Sequence, residues 1–100
     1  TASIQKTLGG PTWSDYYAAS QYLFQSNGDL TNAWDYVDRA WEMSQDKPYY
    51  LSRLKSLIQA KQGDKAGAIE TAKISLAAAE AANNQDYVKM NKDSISEWSR

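Results

Sequence analysis

The carboxylates are the first residues to test for chemistry. Asp35 with Asp38, Asp38 with Glu42 and Asp93 with Glu97 each stand three or four residues apart, a spacing that makes them surface neighbours on a helix. Two carboxylates sharing a site can push one pKa upward and carry out acid–base work. Here the same segments contain Arg39, Lys89 and Lys92, so the pairs read as solvated faces of amphipathic helices rather than as a catalytic centre. The chain has no cysteine and no histidine. That removes disulfides, thiolate nucleophiles, the usual zinc sites and the commonest general base. No catalytic residue, no metal site and no cofactor is predicted, and the chain is expected not to be an enzyme.

Two motifs invite a ligand and fail on their own residues. "NGDLTNAWDYVD" offers oxygen-bearing side chains at Asn27, Asp29, Thr31 and Asp38, but a calcium loop needs glycine where Asn32 stands and glutamate where Asp38 stands. "GDKAGAIET" lacks the Gly-Lys-Ser/Thr of a phosphate-binding loop. Charge excludes further classes. Lys and Arg number 11 against 12 acids, with the signs interleaved, so no basic stripe exists to neutralise phosphates, and nucleic acid is not an expected partner. No apolar run approaches the ~20 residues that cross a bilayer. "TASIQKTLGG" lacks the features of a signal peptide, and a chain that begins at Thr1 is expected to derive from a longer protein.

The elements that must position any functional residue are helices. "NGDLTNAW" at 27–34 returns as "QGDKAGAI" at 62–69, a repeat 35 residues apart. Each glycine follows an apolar-periodic segment, where a helix ends in a left-handed residue, and each aspartate can cap the next helix. Ala33 and Ala68 then fall one turn into the second helix, where a small side chain lets two backbones approach. Helix-face spacing recurs in Ala33, Val37, Ala40 and Trp41, in Leu51, Leu54, Leu57 and Ile58, in Ile69, Ala72, Leu76 and Ala79, and in Val88, Asn91, Ile95 and Trp98. Thr12 and Asp15 resemble a capping box. Asp46 and Pro48 mark the opening of the third helix, since proline is tolerated in a first turn, and Asn83-Asn84 ends the fourth. The chain is predicted to be all-α, with a connecting segment over 1–11 and one helical domain over 12–100. Its helices are expected at about 12–26, 30–45, 48–62, 65–82 and 85–99.

Helix pairs at a period of about 34 residues resemble tetratricopeptide repeats. The matched positions are the Gly-Asp turn, Ala33 and Ala68 after it, and Ala40 with Ser75 as the second small position. The Trp-x-x-Leu-Gly opening is missing, and Ser56 is the only small residue near where its glycine would sit. The resemblance implies a right-handed α-α superhelix of two helical hairpins plus a C-terminal capping helix. The segment "WSDYYAASQYLFQSNGDLTNAWDYVDRAW" and the ending "AANNQDYVKMNKDSISEWSR" are similar to the helical part of a bacterial family with no assigned activity. In that family a β-rich N-terminal domain precedes a tetratricopeptide-like segment, which implies an exported, periplasmic or secreted, parent protein.

Twelve aromatic residues are many for so short a chain. Most are expected in the core or packed between helices, and a few on the surface, where Tyr and Trp dominate binding interfaces. Tetratricopeptide geometry would place the first helix of each hairpin on a concave face, with Asp15, Ala18, Tyr22 and Gln25 from the first and Tyr50, Arg53, Leu57 and Ala60 from the second. Tyr22, Tyr50, Arg53 and Asp15 are the predicted partner-binding residues. The expected function is a non-catalytic protein-interaction module that docks a peptide, a protein or its parent's β-rich domain. The alternatives are a structural domain that pairs as a homodimer, and a small-ligand carrier or enzyme using the groove between helices.

Overall fold

The computed structural model describes residues 12–45 and 47–100. Its elements are α1 (Trp13–Gln25), α2 (Leu30–Met43), α3 (Tyr49–Lys61), α4 (Lys65–Ala81) and α5 (Gln85–Trp98), with no strand among the described residues. The protein is all-α. The segment predicted as a connector, 1–11, and Asp46, predicted to help open the third helix, lie outside the described residues.

Four of the five described helices begin at a side chain that satisfies the free amides of the first turn. Thr12 and Asp15 form both halves of a capping box: the Asp15 carboxylate accepts the Thr12 amide at 2.9 Å, and the Asp15 amide donates to the Thr12 hydroxyl at 3.4 Å. Asp29 accepts from the amides of Thr31 and Asn32, Asp64 from Gly67, and Asn84 from Tyr87. The exception is α3. Pro48 sits immediately before it at φ −64 and ψ 157, in the cap position, and makes no side-chain cap bond. The proline is therefore outside the helix rather than in its first turn. Its ring still sets the extended entry that a cap residue needs.

Three helix ends share one geometry. The amides of Gly28, Asp64 and Asn84 donate to the carbonyls five residues earlier, of Leu23, Gln59 and Ala79, at 2.7, 2.9 and 2.9 Å. The residue before each has positive φ: Asn27 at 59, Gly63 at 96 and Asn83 at 58. This corrects the reading of Gly28. The left-handed position of the first turn belongs to Asn27, a residue that tolerates it through its short polar side chain. At Gly28 the constraint is space rather than a left-handed backbone: an added Cβ would lie 2.8 Å from Leu23 Cδ2, and that side-chain end would have to shift. The first turn thus has one more residue than the second, Ser26-Asn27-Gly28-Asp29 against Gln62-Gly63-Asp64. The closest counterpart of the second turn is the third, Ala82-Asn83-Asn84.

The chain divides after Gln45 into two compact units. In the first, α2 packs on α1 through Ala33, Val37 and Ala40, all fully buried. The helices approach closely enough for the Ser20 hydroxyl to donate to the Ala33 carbonyl at 2.6 Å. The second unit packs α4 against both α3 and α5. Its buried apolar residues are Leu51, Leu54, Ile58, Ala68, Ala72, Ala79 and Val88. Burying a side chain such as Leu51 or Ile58 stabilises by about 1.5–3 kcal/mol; the alanines add little area but permit the close approach. None of the twelve aromatic residues is fully buried; all but Tyr22 and Tyr36 lie at intermediate depth, and rings such as Tyr49 and Tyr87 pack between helices, one of the two places expected for them. Small residues hold many of the buried positions, Ser20 and Ala33 in the first unit and Ala68, Ala72 and Ser75 in the second.

Candidate interaction surface

In the first unit, α1 carries Asp15, Ala18, Tyr22 and Gln25 at helical spacing on one exposed face. Tyr22 is 71% exposed, the most of any large apolar residue described. Asp15 is already engaged at the helix start, where its carboxylate accepts the Thr12 amide and hydroxyl at 2.9 and 3.1 Å. Both bonds belong to the cap that opens α1, at the N-terminal end of this face. A second group escaped the sequence reading. Tyr16 of α1 stacks on Tyr36 of α2 with ring centres 6.0 Å apart, and the Arg39 guanidinium lies 5.6 Å from the centre of the Tyr16 ring. The signal was the spacing of Tyr36 and Arg39, three residues apart.

The carboxylates Asp35, Asp38 and Glu42 line, with Arg39, an open depression of about 390 Å³. Their places at i, i+3 and i+7 put them along one side of α2, as the sequence pattern implied. Among the described residues no group of three or more His, Cys, Asp or Glu side chains is placed to hold a metal ion. The would-be calcium loop is interrupted by α2 itself, because Asp29 spends its Oδ1 on the amides of Thr31 and Asn32 at 2.8 and 3.3 Å.

In the second unit, Tyr50 and Arg53 share α3 at half-buried positions, with Leu57 and Ala60 further along. The Tyr50 ring meets Tyr49 edge-on at 5.6 Å, and Tyr49 meets Tyr87 of α5 at 4.7 Å. Arg53 is a link between α3 and α5. Its Nη1 donates to Ser94 Oγ at 2.9 Å, Asn91 Oδ1 at 3.2 Å and the Met90 carbonyl at 3.4 Å. Burial pulls its pKa down from the ordinary arginine value, and the nearby Tyr87 phenol works the other way.

Asn91, fully buried, continues this chain of bonds. Its Nδ2 donates to Ser75 Oγ at 2.8 Å, and the Ser75 hydroxyl donates to the Tyr49 carbonyl at 2.8 Å. Asn84 closes the same corner by donating to the Tyr49 hydroxyl at 3.0 Å. The amide orientation of Asn91 is fixed from both ends, because Arg53 can only donate and the Ser75 proton is committed to Tyr49. The sequence signal was a polar residue, Asn91, inside the apolar stripe Val88, Ile95 and Trp98.

The four predicted binding residues therefore fall as two pairs: Asp15 and Tyr22 on the α1 face of the first unit, Tyr50 and Arg53 on α3 of the second. Of these, Tyr22 presents the most surface; the other three take part in contacts within their own unit. No described helix is long and apolar enough to cross a membrane. Comparison with protein-family models, with curated proteins and with solved structures gave no match.

Proposed function

We propose that the chain is a non-catalytic, tetratricopeptide-like interaction module, with two hairpins and the capping helix α5 arranged as a right-handed superhelix. In this reading it is the C-terminal helical part of an exported bacterial protein, and it docks a peptide, a protein or its parent's β-rich domain. The observation that carries the reading is the exposure of Tyr22, 71%, on a helix face shared with Ala18 and Gln25. An amphipathic ring on a rigid helix loses little entropy on binding and often dominates an interface. The repeated turn closures and the buried small residues at the helix crossings support the repeat architecture.

The test is capture on the immobilised chain, followed by a pairwise affinity measurement on the purified partner with wild type and Tyr22→Ala. The expected result is a loss of about 2 kcal/mol, roughly 30-fold in affinity, with helix content unchanged. No retained protein, or equal affinity for a folded variant, would overturn the reading. A structural domain that pairs with its own copy is the alternative. It is favoured by the partial exposure of Met90, 37%, on the terminal helix, and it is distinguished by a dimer mass in light scattering that persists in Tyr22→Ala and is lost in Met90→Lys.

A further inference from the structure

The turn between α1 and α2 holds the only Asn-Gly pair of the chain, Asn27-Gly28. Asparagine is among the chemically labile residues, and its reaction starts from the main-chain nitrogen of the residue that follows. A following glycine leaves that nitrogen unshielded, having no Cβ. Asn27 is exposed and left-handed, and Gly28 is the residue whose missing Cβ makes room for Leu23. We propose that Asn27 is a site of spontaneous deamidation, gated by the bonds that close the end of α1.

The step balances with water as the only co-reactant. The Gly28 nitrogen gives its proton to solvent base and attacks Asn27 Cγ. A new C–N bond closes a five-membered succinimide, the bond from Cγ to the amide nitrogen breaks, and ammonia leaves. Water then adds to one of the two ring carbonyls. Breaking the Cγ–N bond yields aspartate. Breaking the bond between nitrogen and the main-chain carbonyl carbon yields isoaspartate, whose backbone runs through the former side chain and is one atom longer. Nothing is oxidised or reduced.

The gate is the attacking nitrogen itself. The Gly28 N–H donates to the Leu23 carbonyl at 2.7 Å and the Asn27 N–H to Phe24 at 3.4 Å, so the nitrogen is held until this turn opens. Helix ends open at far lower free energy than the whole fold, and fraying of α1 rather than global unfolding sets the rate. Both products place a negative charge at the C-terminal end of α1, against the helix dipole and beside Asp29. Isoaspartate also spoils the bond to Leu23 by lengthening the chain between them.

The test is peptide mapping by mass spectrometry of the whole chain, incubated in mildly alkaline buffer with increasing urea. Asn27 is expected to convert ahead of Asn32, Asn83, Asn84 and Asn91, faster at higher pH. In native buffer its rate should be at least roughly tenfold below the plateau reached in denaturing urea. Asn27→Gly, which suits the left-handed position, should keep the fold and abolish the change in that peptide. Earlier conversion at another asparagine would overturn the site, and a rate at Asn27 indifferent to urea would overturn the gate.

Discussion

Asn91 shows how much one side chain can hold. It is fully buried on α5, yet both ends of its amide are occupied, one by Arg53 of α3 and one by Ser75 of α4. Asn91→Ala would take an acceptor from a half-buried guanidinium and leave a cavity beside a buried hydroxyl. An unsatisfied buried polar group costs about 1–3 kcal/mol, and the variant is expected to lose that much in urea unfolding. Tyr22→Ala, by contrast, removes an exposed ring and should stay within about ±0.5 kcal/mol. The two together separate a residue that holds the fold from one available to a partner. Arg53 belongs with the first kind: its donors already serve Asn91 and Ser94, so a binding assay on an Arg53 variant would also report damage to the second unit.

At the scale of the elements, the turns are where sequence and structure part. The five described helices begin and end within two residues of the expected positions, because apolar spacing and capping oxygens are local signals. The role of Gly28 was not legible. In the repeat it aligns with Gly63, but an extra residue in the first turn gives the left-handed position to Asn27, and an insertion of that kind changes no residue type in the motif. The two glycines should therefore answer differently to asparagine. Gly63→Ala should cost about 1–2 kcal/mol through its positive φ alone, since nothing lies within 4 Å of the added Cβ, and Gly63→Asn should recover much of that. Gly28→Asn should recover nothing relative to Gly28→Ala, because the obstacle there is the Leu23 side chain. Thermal unfolding of the four variants reads the contrast. The exact depth of each aromatic ring was not legible, since it depends on how pairs of helices pack rather than on the spacing within one.

For the molecule as a whole, charge makes the firmest statement. A net formal charge of −1 with interleaved signs supplies no concentrated positive field, and sequence-independent binding to nucleic acid is almost wholly electrostatic. Titration with single- or double-stranded DNA at low salt is expected to give no mobility shift. The candidate face on α1 was legible as spacing but not as exposure, since exposure depends on what the rest of the chain leaves uncovered. Much of the second unit's organisation rests instead on the polar path from Arg53 through Asn91 and Ser75 to Tyr49. Apolar surfaces are forgiving: a helix that slides by a turn still finds grease. Were α5 to settle one turn out of place, Tyr87 or Ile95 would face Ser75, and neither carries an amide to serve serine and arginine at once. The path thus acts as a proofreader of docking, rejecting near-miss alignments that hydrophobic contact alone would accept.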